Sequence, residues 1–407
     1  MTTFDDIRPY NDDEVRTVLD RVLVDPDFKS AMGRLTLPKL SKIFPGLAKQ
    51  SVSWFVKRQF SHVDNVKEFQ NIVQRHMTKM MSRTMSGLTS SGLEHLNRDK
   101  AHLFVSNHRD IAMDPALIDW VLHENKFETA RLAIGDNLLT MPYASDIMRL
   151  NKSFIVNRSA KGNKEKFKAL KHLSAYLHHS IIVEKSDVWI AQRQGRAKDG
   201  LDRTESAVLK MFAMNKNKEQ TFSEYIRELS IVPVSISYEW DPLDEHKAME
   251  LFHQKEFGEY QKGEHEDIVN IAKGIDGTKG RVHVAFGQEL SGDYQDADEL
   301  AFEIDKQIIE NYVLQPSNCF AYKALHGEVP DVTVGAEQHV FEERKNKSQE
   351  LIFTGRLQAM DTPYRTIVQE MYANPIVSKL EFSKLAAYSD KLKQQNEKSE
   401  FEGKIIS

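Results

Sequence analysis

The stretch Phe104-Val105-Ser106-Asn107-His108-Arg109-Asp110-Ile111-Ala112-Met113-Asp114-Pro115-Ala116 changes texture twice within thirteen residues. The apolar run His102–Ser106 that leads into it reads as a buried strand. A polar segment follows, and Asp114-Pro115 is expected to open a helix, because Asp just before and Pro within a first helical turn are favoured start signals. Strand, polar loop and helix in this order are the repeating unit of an α/β domain. His108 then stands beyond the carboxyl end of a strand, where open α/β sheets place their ligands.

The same alternation continues downstream. Further strands are predicted at Arg131–Gly135, Ser153–Val156, Val188–Ala191, Ile231–Ser237 and Arg281–Phe286. Between them lie helical patterns such as Phe167, Leu170, Leu173, Leu177 and Ile181, which share one face. The fold class is therefore α/β, a mostly parallel central sheet covered by helices. From Asp12 to about Gly92 the pattern is helical, with Val15, Val18, Leu19 and Val22 on one stripe, and no strand is evident. Beyond Asp296, Leu300, Ile304, Ile308 and Tyr312 form another stripe, and a polar helical tail follows. This divides the chain into an N-terminal helical region (1–92), an α/β domain (93–315) and a C-terminal helical extension (316–407).

Charge and composition narrow the partners. Among 407 residues, 40% are hydrophobic and 28% charged, which suits a globular protein. The net charge of −5 argues against nucleic acid as a partner, since phosphate neutralisation needs a positive excess. Cys319 is the sole cysteine, which rules out an intrachain disulfide and suits a reducing compartment. Met1–Asp20 has no signal-peptide core, and no apolar run approaches the roughly 20 residues that cross a bilayer. The expected location is the cytoplasm, with any membrane contact peripheral, on the inner face of the cytoplasmic membrane.

Two segments invite such contact. Leu35–Phe60 mixes Trp54, Phe55 and aliphatic residues with Lys39, Lys42, Lys49, Lys57 and Arg58, interrupted by Pro38 and Pro45. It reads either as a membrane-surface element or as a helix pair packed on the main domain. Arg149, Lys152, Arg158, Lys161, Lys164, Lys166, Lys168 and Lys171 stand against the single acid Glu165, a stripe suited to anionic headgroups, to an acidic carrier, or to plain solvation. His172, His178 and His179 are irregularly spaced and lack an evident carboxylate partner, so no metal site is expected.

The chemistry centres on His108. A neutral imidazole, with an ordinary pKa near about 6.5, can take a hydroxyl proton as the oxygen attacks. A carboxylate on the far ring nitrogen would fix the tautomer and stabilise the imidazolium. Asp114 is the candidate and Asp110 the alternate; as a plain structural element, Asp114 would only cap its helix.

Asn107-His108-Arg109-Asp110 through Asp114 resembles the first motif of the glycerol-phosphate and lysophosphatidate acyltransferase family. Five residues separate His108 from Asp114, one more than the family's usual spacing and similar to a bacterial branch that carries the longer form. Gly135-Asp136-Asn137-Leu138-Leu139 with Phe154-Ile155-Val156-Asn157-Arg158 looks like the second motif, which implies that Arg158 grips the acceptor phosphate. Gln192-Arg193-Gln194-Gly195-Arg196-Ala197-Lys198-Asp199-Gly200 is similar to the third, with Gln194 where the family has Glu. Gln keeps the hydrogen-bonding reach and loses the charge. Gly195 and Gly200 are expected to let the backbone approach a ligand, with Arg196 and Lys198 supplying positive charge. Ile231-Val232-Pro233-Val234-Ser235-Ile236 resembles the fourth motif, near the acyl donor, with Pro233 expected at a strand start or an irregular position.

The resemblance implies the family's fold and direct transfer of a fatty acyl group from an acyl carrier protein or coenzyme A thioester to 1-acylglycerol 3-phosphate or glycerol 3-phosphate at a membrane surface. His108 would be the base and Asp114 its partner. Asn107, Arg109, Arg158, Gln194, Gly195, Arg196, Lys198 and Pro233 would bind substrate, with no metal and no cofactor beyond the thioester co-substrate. Gln194 keeps a catalytically silent lipid-binding protein in view, and water as acceptor would make the chain a thioesterase.

Overall fold

The computed structural model describes residues 3–36, 45–263 and 266–406. One sheet holds β1 Met85–Ser91, β2 Leu103–Ser106, β3 Arg131–Gly135, β4 Ser153–Val156, β5 Val188–Ala191, β6 Ile231–Tyr238 and β7 Gly280–Phe286. Its spatial order is β1-β7-β6-β2-β5-β3-β4, parallel throughout except between β6 and β7. The six strands expected from sequence are present, three of them with the expected ends. β1 is the addition, and it falls inside the region read as helical. Its sequence, Met-Ser-Gly-Leu-Thr-Ser-Ser, is mostly exposed and pairs on one side only, so it carries no apolar run to mark it. The helical region accordingly ends at Thr84, and the sheet begins before the boundary drawn at residue 92.

Ahead of the sheet lie α1 Asp12–Val24, α2 Pro26–Thr36, α3 Pro45–Gln59 and α4 Val66–Thr84. Val15, Leu19, Val56, Phe69 and Ile72 join them in one cluster. Of the segment Leu35–Phe60, residues 37–44, with Pro38, Lys39 and Lys42, lie outside the described residues. In α3, Val56 packs inward while Trp54 and Phe55 are exposed, with the Arg58 guanidinium 5.5 Å from the Trp54 ring centre.

Around the sheet run α5 Met113–Glu124, α6 Pro142–Leu150, α7 Asn163–His178, α8 Ser206–Phe212, α9 Phe222–Glu228, α10 Asp244–Phe257, α11 Glu266–Asp276 and α12 Ala297–Asn311. The period-two alternation of the strands assigns the two faces. Leu103, Val105, Val188 and Ile190 pack with Leu173 and Leu177 of α7, Leu209 of α8 and Leu300 and Ile304 of α12. Phe104, Trp189, Val232, Val234 and Ile236 pack with Leu117, Ile118 and Val121 of α5. Burying both faces in this way accounts for the continuous apolar runs.

The chain closes with α13 Pro316–His326, a two-stranded ladder of β8 Thr333–Val334 and β9 His339–Val340, α14 Lys347–Ala359 and α15 Thr362–Ile406. Pro375 inside α15 has no N–H to offer the Met371 carbonyl. Gly200, at φ +79°, backs onto that carbonyl: a Cβ there would lie 2.1 Å from its oxygen. Asn374 Nδ2 donates to the Asp199 carbonyl at 2.6 Å. The C-terminal helix thus braces the loop of residues 195–200. Gly200 serves this backbone contact rather than the ligand approach expected of it. Among the described residues no helix is long and apolar enough to cross a membrane.

Candidate active site

His108 leaves the end of β2, and its Nδ1 lies 2.8 Å from Asp114 Oδ2. The same oxygen accepts the backbone N–H groups of Arg109 at 2.6 Å and Asp110 at 2.8 Å. Asp114 Oδ1 accepts the Tyr238 hydroxyl at 2.7 Å. The loop between His108 and Asp114 wraps the carboxylate closely enough for two of its own N–H groups to converge on it. Asp114 is fully buried, so these donors replace water. With Nδ1 engaged, Nε2 is the ring nitrogen left for a substrate.

Asp110 does something else. Its Oδ1 accepts the N–H groups of Ala112 and Met113 and so caps α5, which begins at Met113. Burial, then the neighbouring charge of Asp114, pushes its carboxyl above the ordinary range. Capping falls to the alternate acid, and Asp114-Pro115 lies inside the first turn rather than opening the helix. Burial, then Asp114, likewise raises the Tyr238 phenol well above its usual value and keeps it a donor. Trp189 meets the His108 ring edge-on at 5.9 Å, and its indole N–H donates to Ser106 Oγ at 2.9 Å.

Asn107 and Arg109, expected to touch substrate, are buried behind this arrangement. Asn107 bridges to β6 through Ile236, accepting its N–H at 2.8 Å and donating to its carbonyl at 3.0 Å. Arg109 donates to Asp202 at 2.6 Å and to the Gly200 carbonyl at 3.1 Å. Lys247 donates to the Arg109 carbonyl and pairs with Asp241. Both residues hold the wall rather than line the cavity.

The cavity in front has a volume of about 560 Å³ and is lined by His108, Arg158, Gln194, Gly195, Arg196 and Lys198 together. Asp136 ties the two halves of the second motif by accepting the N–H groups of Arg158 at 3.0 Å and Ser159 at 3.2 Å. The Arg158 side chain lies against Gly135, where a Cβ would come within 3.0 Å of its Nε. Its guanidinium makes no hydrogen bond among the described residues. Arg196 is 8% exposed, and its Nη1 is buried without a partner. Lys198 is paired with Glu250. Gln194 is exposed, and its N–H donates to Glu205 at 3.2 Å, so Glu205 puts a carboxylate in this part of the cavity. Val156, Leu170, Leu173, Val208 and Met211 supply an apolar wall.

Pro233 is the third residue of a fully buried central strand and lies away from the cavity lining, against the expectation of a strand start or irregular place near the site. Its carbonyl accepts the Gly287 N–H at 2.8 Å, one rung beyond the paired register of β6 and β7, where an absent N–H costs least. The three histidines of α7 and the turn after it do have carboxylate neighbours. Each has its own, at 3.0 Å for His172 with Asp6, 3.3 Å for His178 with Glu228 and 3.9 Å for His179 with Glu184. No group of metal-ligating residues converges among the described residues. Tyr238, Trp189 and Glu205 had no place in the sequence motifs. Tyr238 alone carried a signal there, a polar side chain closing a buried strand.

Residues 87–237 match the Acyltransferase family model, a span that takes in every site residue expected from sequence. No curated protein matches the chain. The crystal structure of the 1-acyl-sn-glycerophosphate (LPA) acyltransferase PlsC from Thermotoga maritima aligns at 15% identity over 72% of this chain and 84% of that one, with a TM-score of 0.35.

Proposed function

We propose, starting from the match of residues 87–237 to the Acyltransferase family model, that the chain moves a fatty acyl group from a coenzyme A or carrier-protein thioester to the hydroxyl of 1-acylglycerol 3-phosphate or glycerol 3-phosphate. One observation carries this reading: the imidazole backed by Asp114 opens on the same cavity as Arg158 and Arg196, whose guanidinium groups have donors to spare.

His108 Nε2 takes the hydroxyl proton as the acceptor oxygen attacks the thioester carbonyl. Asp114 stabilises the imidazolium that forms. The tetrahedral intermediate expels the thiolate, which recovers the proton from His108. Arg158 and Arg196 hold the acceptor phosphate, for which the guanidinium fork is well shaped. The apolar wall receives acyl chain. A thioester is activated enough that base and positioning suffice, so the reading calls on no further cofactor.

A base of this kind contributes about 10²–10⁴-fold. His108→Ala should therefore abolish measurable transfer to both acceptors while the chain stays folded, read by mass spectrometry of the lipids made. Full activity in that variant removes His108 from the mechanism. Fatty acid released at the same rate with and without acceptor would make the protein a hydrolase instead.

A further inference from the structure

The N-terminal half of α7 shows solvent a face of which the proposed reaction uses only the edge at the cavity rim. Phe167 is 61% and Leu170 39% exposed, although both are large and apolar. Lys161, Lys164, Lys166, Lys168 and Lys171 surround them, all exposed, and Glu165 is the only acid in the run. None of the five lysines enters an ion pair among the described residues. At 100° per residue, Phe167 and Leu170 fall about 60° apart, with Lys166 on one flank and Lys164 and Lys171 on the other. The following turns sink inward, Leu173, Tyr176 and Leu177 being buried.

This face runs into the cavity. Leu170 and Lys166 belong both to the exposed turns and to the cavity lining, and the wall continues from Leu170 to Leu173, Val208 and Met211. The cavity mouth is thus rimmed by an apolar strip flanked by cations. A hydrocarbon chain entering from this side would slide over Leu170 while its anionic head met lysine.

We propose that this face of α7 docks the protein on an anionic lipid bilayer, with Phe167 and Leu170 entering the interface and the lysines on the headgroups, so that the cavity mouth opens onto the lipid. Charge alone would suit an acidic protein equally. The exposed phenyl and isobutyl groups between the lysines favour the bilayer, because burying them there returns the cost of their exposure to water. The proposal rests on the acyl-transfer reading for its purpose, since a lysophosphatidate acceptor is itself a bilayer amphiphile. Its geometry stands without that reading.

The test uses the full chain, sedimented with phosphatidylglycerol–phosphatidylcholine vesicles and with phosphatidylcholine vesicles alone. Wild type should partition to the anionic vesicles and be released at high salt. The triple variant Lys164→Gln/Lys168→Gln/Lys171→Gln should lower the partition coefficient on the order of a hundredfold, at about fivefold per lysine. Phe167→Ser should lower it about tenfold. Both variants should keep wild-type rates on short-chain, water-soluble acceptor and donor, and lose rate on acceptor embedded in vesicles. Partition equal to wild type in both variants overturns the proposal. Unchanged partition with a selective loss of rate for a donor on an acidic carrier protein also overturns it and gives the face to that carrier. Vesicle binding as expected, from a protein that acylates no acceptor with any thioester, upholds the docking and defeats the acyl-transfer reading.

Discussion

Arg109 and Arg158 stand on opposite sides of one wall. Arg109 is 8% exposed and donates to Asp202 and to the Gly200 carbonyl, beside Lys247 paired with Asp241 and Arg356 paired with Asp244. Arg158 reaches over Gly135 into the cavity with no hydrogen bond to its guanidinium among the described residues. Behind the wall each of these cations is matched to a carboxylate, because an unpaired buried charge costs several kcal/mol. In front, Arg158 keeps its guanidinium free of hydrogen bonds among the described residues and Arg196 holds a buried Nη1 without a partner, donors that an anion can claim. Cations next to each other in sequence motifs thus divide by partner into those that hold the loop and those that face the ligand.

The sharpest way to break this division is Arg109→Ala. It leaves Asp202 buried without its cation and should cost about 3–5 kcal/mol of stability, read from denaturant midpoints. A variant as stable as wild type, but with a raised acceptor KM, would move Arg109 to the ligand side. Arg158→Ala should do the reverse. Its stability should stay within about 0.5 kcal/mol, while kcat/KM for the acceptor falls about 10- to 100-fold through loss of a charged hydrogen bond, about 1.5–3 kcal/mol. Arg158→Lys should recover only part, because the ammonium lacks the fork. An unchanged acceptor KM in Arg158→Ala would contradict the role.

Tyr238→Phe tests the join between the two regions, since the phenol reaches Asp114 from the buried side. Removing it leaves Asp114 Oδ1 without its donor. The expected cost is about 1–2 kcal/mol in stability. With it should come a roughly tenfold fall in kcat at unchanged acceptor KM, because the carboxylate steadies the imidazolium less well when misaligned. A fall in stability with kcat intact would make Tyr238 a packing residue only.

Legibility in the sequence followed burial and distance along the chain. β3, β4 and β5 could be read to the residue because each apolar run stops at a polar residue, at Asp136, Asn157 and Gln192. β1 could not, because an edge strand of Ser, Thr and Gly has the composition of a loop. That His108, Arg158 and Arg196 share one cavity was legible because each follows the carboxyl end of a strand in its own motif, with Asp114 carried by the helix after the first. The inward turn of Asn107 and Arg109 was not, since it depends on Ile236 and Asp202, partners far along the chain. The same holds for Gly200, whose reason is a proline one turn beyond Met371.

Partnering should also bear on the pH dependence of stability, and two groups away from the cavity make opposite contributions. Among the described residues, His283 in β7 has only the hydroxyls of Thr89 and Ser91 on its ring nitrogens, at 2.8 and 3.0 Å, and burial pushes it down to about 4. Asp119 in α5 accepts the Ala130 N–H at 2.8 Å, and burial pushes its carboxyl up to about 7. Between about pH 6.5 and 4 the unfolded chain takes a proton on His283 that the folded chain refuses, so stability falls as the pH drops. For Asp119 the folded chain takes the proton first, below about 7 and well above the unfolded value near 3.9, so stability rises as the pH drops. The two effects oppose each other in the wild type, and single substitutions separate them. From pH 7 to 5.5, His283→Gln should gain on the order of 1 kcal/mol relative to wild type, and Asp119→Asn should lose a similar amount. Urea midpoints at the two pH values decide it: curves parallel to wild type in both variants would mean that neither group is held in its neutral form by burial.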